Sequence, residues 1–316
     1  MAATYDWAMA GPLRRVDIAE LRGFCAAVEL GSLSRAARLL QISQPALSKR
    51  VRALELLTGT SLLERSPRGV HPTAAGAELY EHSLVLLAQA QRVEALIARL
   101  SGEQTPVRVA ASHTIAEFVL PTALVHYRAR RGQHLALELV VANSAVVREL
   151  VADGRVDFGI AALDPGAGQP DHLEQVELCE DEVIVALPSR HAWVKRSQIS
   201  LADLQRTPMV MRDPSANTRR VVEAALRERH MTLAPALVEV GSTAAAIARA
   251  ISAGVPALLS GLALNASDQG MVARRVRGIR FRRRFVILHA ATAALSADAT
   301  LLIEHLCSYL EQAHNQ

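Results

Sequence analysis

Apolar positions in the first hundred residues recur at helical spacing in four successive segments. Ile18, Leu21, Cys25 and Val28 mark one face of a helix that Asp17 can cap and Gly31 stops. Leu33, Ala36, Ala37 and Leu40 mark a second, with buried positions small enough to let another helix approach closely. Gln41-Ile42 breaks the period. Ser43 then predicts the N-cap of a third helix, with Pro45 in the first turn, where its missing donor costs nothing, and Leu47, Val51 and Leu54 as the buried stripe. Two short extended pieces follow between Leu62 and Thr73, around a Pro67-x-Gly69 turn. From Thr73 to Leu100 there is no proline. A heptad line through Leu79, Leu86, Val93 and Leu100, with Ser83, Ala90 and Ile97 on the neighbouring line, predicts about seven turns of helix.

Beyond Pro106 the pattern changes. Apolar runs at 107–112, 135–143, 156–163, 182–188, 208–212, 236–240, 255–260 and 285–290 alternate with helical segments, which predicts parallel α/β sheets. The expected fold class is α/β with an N-terminal all-α winged helix-turn-helix. Three regions are expected: 14–73 as that helical unit, 74–105 as linker helix and hinge, and 106–316 as the α/β domain.

The polar positions of the third helix carry chemistry. Gln44, Ser48 and Arg52 fall on one i, i+4 row, with Lys49 beside them. Gln can bridge adenine N6 and N7, Ser can bond a base or a phosphate, and Lys and Arg reach phosphate or guanine. A solvated amphipathic helix would account for the charges, but not for the short turn, the Ala-rich preceding helix and the first-turn proline together. Double-stranded DNA is therefore the expected partner, with Arg65 and Arg68 on the hairpin reaching the backbone or minor groove.

Composition changes this picture little. The 316 residues are 50% hydrophobic, enough for a core in each of two or three domains. No apolar run approaches the roughly 20 residues of a membrane span, and the first residues lack the pattern of a secretory signal, so a cytoplasmic location is expected. Cys25, Cys179 and Cys307 are far apart in apolar stretches, which predicts buried packing and neither disulfide nor metal. The net charge of +4 decides nothing alone. A cationic block from Arg274 to Arg284 alternates with Val276, Ile279, Phe281 and Phe285, and reads as exposed edge strands guarded by charge.

Residues 17–73 resemble the winged helix-turn-helix of LysR-type transcriptional regulators. The matching elements are Gly31-Ser32-Leu33, Arg35-Ala36-Ala37, Ser43-Gln44-Pro45-Ala46-Leu47-Ser48, Leu54-Glu55, Gly59, Leu62, Glu64-Arg65 and Thr73-x-x-Gly76. Leu63, where the family usually has Phe, and Pro72, where an aliphatic residue usually stands, depart from it. The resemblance implies that Gln44, Pro45, Ser48 and Lys49 contact bases or phosphates, that Arg65 is a wing contact, and that the long helix pairs with a second copy. A homodimer or homotetramer is the implied state, without a cofactor.

The C-terminal part resembles the two-lobed effector domain of the same family, built like a periplasmic binding protein. Lobe I is expected at about 106–180 and 285–312, with lobe II, 181–284, between. By that resemblance Ser112, Thr114, Asn143, Ser144, Ala161, Arg212, Thr218 and Thr243 fall near the cleft. Four strand-to-helix junctions offer hydroxyls or amides beside free helix N–H groups, so a small carboxylate or inorganic oxyanion is the expected effector, with Arg212 or Arg219 as counter-charge. The stretch His113–Phe118 with Ala142-Asn143-Ser144 is similar to family members concerned with sulfur and carbon assimilation. The implied function is a regulator that binds a promoter operator and alters DNA bend or RNA polymerase contact on ligand binding. A two-lobed binding protein without sequence-specific DNA function is the alternative. An enzyme is disfavoured, because Asp157, Asp164, His113 and His191 form no catalytic motif.

Overall fold

Side-chain caps start the first three helices of the computed structural model, which describes residues 16–66, 69–101, 105–132, 135–163, 173–265, 270–291 and 295–314. Asp17 accepts from Ala19 N (2.8 Å) ahead of α1 (Ile18–Leu30), Ser32 from Arg35 N (3.3 Å) ahead of α2 (Leu33–Leu39), and Ser43 from Ala46 N (3.3 Å) ahead of α3 (Gln44–Thr58). Phe24, Ala27, Ala36, Leu47, Val51 and Leu54 pack between them. Gly23 sets their spacing, since a Cβ there would lie 2.7 Å from Leu47 Cδ1.

Strands β1 (Leu63–Ser66) and β2 (Gly69–Pro72) form the antiparallel wing. Leu63 is paired with Pro72, so the two departures from the family pattern sit opposite each other. Helix α4 (Ala74–Leu100) follows at once. Thr73 Oγ1 accepts from Gly76 N (3.0 Å) and donates to the Ser61 carbonyl (2.8 Å), and a Cβ on Gly76 would lie 2.0 Å from the Leu62 carbonyl oxygen. That close approach is why the Thr-x-x-Gly spacing needs its glycine.

Leu79, Tyr80, Leu84 and Leu87 of α4 lean on the three-helix core. Ser83 is buried as well, and its Oγ donates to the Leu79 carbonyl (2.6 Å). It therefore faces its own unit rather than the outer seam that its heptad position suggested. The outer stripe of α4 is Val85, Leu86, Val93, Leu96, Ile97 and Leu100, all exposed. At 3.6 residues per turn these cover about a third of the helix circumference.

The chain divides between Glu103 and Gln104 into two compact units. The second contains β3 (Val107–Ser112), α5 (His113–Phe118), α6 (Leu120–Arg131), β4 (Leu137–Ala142), α7 (Ser144–Ala152), β5 (Phe158–Ala162) and β6 (Leu173–Pro188). Then come a short 3-10 turn (Ala192–Lys195), β7 (Gln198–Ile199), α8 (Leu201–Arg206), β8 (Val210–Arg212), α9 (Asn217–Arg227), β9 (Val238–Val240) and α10 (Thr243–Ala253). The unit ends with β10 (Ala257–Ser260), α11 (Gly261–Asn265), β11 (Met271–Val276), β12 (Phe281–Ala290) and α12 (Ala297–His314).

Its strands run in the order β4-β3-β5-β12-β6-β10-β8-β9, with β11 on β6 and β7. The outer strands pair in parallel, β3 with β4 and β5, and β8 with β9 and β10, as the alternation predicted. β6 and β12 are antiparallel and pass through both lobes. Positions 180/181 and 284/285 lie inside these two strands, which join the lobes by continuous backbone. Their ladder slips between Phe285 and Val286, a bulge that adds local bend at the crossover. One lobe packs Ile115, Leu120, Phe158, Ile287 and Leu302 under α5, α6 and α12, and the other packs Leu187, Ile199, Met209, Val222 and Phe281.

The arginine block is tied into the sheet strand by strand: Arg274 pairs with β6, Arg275 with β7, and Arg282, Arg283 and Arg284 with β6. Pleating turns Arg282 and Arg284 outward and draws Phe281, Arg283 and Phe285 in. Arg275 and Arg280 meet Glu182 at 3.1 and 2.6 Å. Among the described residues, no helix is long and apolar enough to cross a membrane.

Candidate functional site

Helix α3 presents two unlike faces. Leu47, Val51 and Leu54 are buried, while Gln44, Pro45, Lys49 and Arg52 are exposed and Ser48 is half-buried. Gln41, with φ of +54°, reverses the chain between α2 and α3 and leaves the amino end of α3 at the surface. Hydrogen-bonding and cationic groups therefore share one accessible row. Arg65 lies on β1, but its side chain, like all of Arg68, is outside the described residues.

In the second unit, the strand ends of both lobes meet at a crevice of about 20 Å³ lined by Ser112, His113, Thr114, Asn143, Ser144, Arg212, Ala216, Asn217, Thr218 and Arg283. Six of the eight residues expected near the cleft are in that lining. Thr243 joins the same network through Arg212, which donates Nη1 to Thr243 Oγ1 (2.9 Å) and Nη2 to the Gly241 carbonyl (2.8 Å). Ala161 is not in the lining. Its side chain packs in the apolar cluster of Ala110, Val147, Val151 and Val286. Arg219 is held elsewhere, by Glu223 (2.7 Å) and Glu239 (2.5 Å).

Sequence reasoning missed the centre of the crevice. Arg283 donates Nε to Asp181 Oδ2 (2.7 Å), Nη1 to Thr218 Oγ1 (2.9 Å) and Asn217 Oδ1 (3.3 Å), and Nη2 to Thr114 Oγ1 (3.3 Å). One guanidinium thus ties a lobe I hydroxyl to the first turn of α9 in lobe II, 4.7 Å over the Phe285 ring. Asp181 also accepts from Ser260 Oγ (2.8 Å) and Leu262 N (3.3 Å). The available signal was the in/out alternation of β12, in which Arg283 falls between two inward phenylalanines.

Further contacts cross between the lobes. Asn143 accepts from Ala145 N and Val146 N to cap α7 and donates Nδ2 to Ser215 Oγ (3.0 Å), and Asn217 Nδ2 donates to the Leu163 carbonyl (3.0 Å). Within lobe I, Ser144 Oγ accepts from Ala162 N (3.1 Å). Two buried donors are left over: Ser112 Oγ and Arg212 Nε have no hydrogen-bond partner. α9 follows Ala216, which has no side-chain acceptor to cap its first amides. The crevice therefore holds an excess of donors, the condition for receiving an anion.

Two carboxyls beside Arg212 are perturbed. Burial raises the Glu117 carboxyl, but hydrogen bonds from His113 and Ala244 N outweigh it and bring the group below its ordinary value. Asp213 is likewise raised by burial and more strongly lowered by Ser215 and Arg212. Groups depressed in the folded state contribute stability that is complete above their unfolded values, near 4, and lost as pH falls through the lower folded ones. The urea midpoint is expected to fall between about pH 5 and pH 3. A Glu117→Gln, Asp213→Asn double variant should show a flatter acid limb, and an unchanged slope would place the acid sensitivity elsewhere.

Nucleophilic chemistry finds no support in the thiols. Burial pushes Cys25 to about 11 and Cys179 to about 12, and raises Cys307. Asp157 is paired with Arg108 (3.1 Å), and His191 caps Trp193 N (3.2 Å). Asp164 lies outside the described residues.

Residues 18–77 match the model of the bacterial regulatory helix-turn-helix protein, lysR family, and residues 100–310 match the LysR substrate binding domain. The chain is 35% identical over 250 residues to an HTH-type transcriptional regulator of Mycobacterium bovis that is described as uncharacterized, covering 76% of this chain and 79% of the relative. It is 27% identical over 305 residues to the RuBisCO operon transcriptional regulator of Allochromatium vinosum, covering 95% and 98%. Among solved structures, a variant of full-length OxyR from Pseudomonas aeruginosa shares the fold, with a TM-score of 0.65 at 21% identity over 94% of this chain and 97% of that one.

Proposed function

Because the chain belongs to the LysR family of DNA-binding transcriptional regulators, which are not enzymes, we propose that it reads a promoter operator as a dimer and responds to a small anion in the interlobe crevice. A role at a promoter puts it in the cytoplasm, in contact with RNA polymerase.

The observation that carries the DNA half is the accessible row of exposed Gln44, Pro45, Lys49 and Arg52 with half-buried Ser48, on a helix buried by its other face. A helix-turn-helix places such a row in the major groove, with flanking cations, Arg65 and Arg68 among them, on phosphates. The exposed apolar stripe of α4 supplies the surface for pairing two copies, and two recognition helices read half-sites about one helical turn or a multiple apart. Tetramers require a further contact between such dimers.

The effector half rests on Arg212, a cation only 4% exposed whose Nε has no partner, set beside Ser112, Thr114, Asn143, Ser144, Thr218 and Thr243. These donors are neutral or positive, which selects a carboxylate or inorganic oxyanion. The effect on DNA comes from unequal anion affinity for two lobe arrangements.

The first test compares binding to DNA flanking the protein's own gene with binding to a random duplex, at two salt concentrations. Selective binding that weakens steeply with salt is expected, and equal affinity for both duplexes would count against sequence recognition. On the selected site, Gln44→Ala and Ser48→Ala should each cost about 1–3 kcal/mol if they touch bases. Equal weakening on random DNA would move them to the backbone.

A further inference from the structure

The crevice is closed by the protein's own groups. Its volume of about 20 Å³ holds no more than one water. Beside it, Glu117 of α5 reaches from lobe I to the first turn of α10 in lobe II, where its Oε2 accepts from Ala244 N at 2.7 Å. Oε1 lies 3.1 Å from His113 Nδ1, and His113 lines the crevice. Arg212 anchors the same turn through Thr243 and Gly241 and keeps its Nε unpartnered in a buried position. Ser112 Oγ, also buried and unpartnered, lines the opposite wall. The carboxylate at the amino end of α10 is thus supplied by the protein itself, while Arg212 Nε and Ser112 Oγ stay unpartnered.

We propose that Glu117 is a tethered anion: in the free protein it occupies the position of the effector's negative charge at the amino end of α10 and holds the lobes together, and an anionic effector binds by displacing it. The proposal rests on the anionic-effector reading of the crevice. An eleven-residue helix favours negative charge at its amino end, and two anions cannot share one such end without repulsion. The depressed carboxyl of Glu117 keeps it charged near neutral pH. A tethered group competes at a local concentration on the order of millimolar. Weakly held monoanions therefore lose to it, whereas an anion that also engages Arg212 and Ser112 wins. Displacement breaks the hydrogen bond from α10 to lobe I, so occupancy and the loosening of this interlobe contact become one event.

The test uses the full-length chain, titrated with sulfate and separately with malonate at constant ionic strength and followed by calorimetry. Glu117→Gln keeps an acceptor for Ala244 N without the charge, and Glu117→Ala removes both. Both variants are expected to bind at least one of the two anions about tenfold more tightly than the natural chain. Equal or weaker binding by the variants, with measurable binding by the natural chain, would overturn the tethered-anion role and leave the anionic-effector reading standing. No binding of either anion to any of the three chains, each folded by circular dichroism, would overturn both. Arg212→Gln locates the site, since binding that persists unchanged in it lies outside the crevice and overturns the proposal.

Discussion

Leu86→Asp is expected to leave a folded chain that sediments as a monomer and binds its operator roughly 100-fold or more weakly than the natural protein. Leu86 is 48% exposed and does not belong to the cluster that α4 shares with α1 to α3. A charge there costs the unit itself little. It falls in the stripe of Val85, Leu86, Val93, Leu96, Ile97 and Leu100, where a second copy would bury it against apolar neighbours. The loss in DNA affinity follows from the proposed dimeric reading, in which each recognition helix alone reads one half-site and the linked second half-site acts through its local concentration. Sedimentation equilibrium and fluorescence anisotropy check the two effects separately. A variant that stays dimeric would remove α4 as the pairing helix, and a monomer with unchanged affinity would remove the two-half-site account.

The helical third of the chain was legible because its signals are local. Caps at Asp17 and Ser43, a helical apolar period and the Thr73-x-x-Gly76 spacing each act within a few residues, and each forms the element it predicts. Ser83 was misplaced because heptad position alone does not distinguish a helix's own core from its partner. The parallel strands of the second unit were legible for the same reason as the helices. β6, β7 and β11 were read short or not at all. The first half of β6 is Leu173-Glu-Gln-Val-Glu-Leu-Cys-Glu, whose acidic residues look like a solvated loop until β12 supplies their cross-strand partners. Most of the cleft was found from strand-to-helix junctions, where function and capping use the same residue types. Arg283 was missed because a buried cation has no local signature: its partners Thr114, Asp181 and Thr218 are 169, 102 and 65 residues away.

Arg283→Met is expected to destabilise the effector unit by about 3–5 kcal/mol. The side chains of Arg283 and Asp181 are 2% and 1% exposed, and they are direct cross-strand partners at the crossover of the lobes. Burying both charges is expensive, and their pairing need not be better than an apolar pair of the same volume. Removing one partner is different. Asp181 would keep only Ser260 Oγ and Leu262 N against its charge, and Thr114 and Thr218 would lose the donor that links them. An Arg283→Met, Asp181→Leu double variant removes the orphaned carboxylate and should recover a large part of the loss in urea unfolding. It should not recover the proposed anion-dependent control of DNA binding, because Thr218 in the first turn of α9 then loses its link to Thr114 of lobe I. Full recovery of both would make the pair a packing element alone. Recovered stability with lost control would identify the ion pair as the part that couples the two lobes.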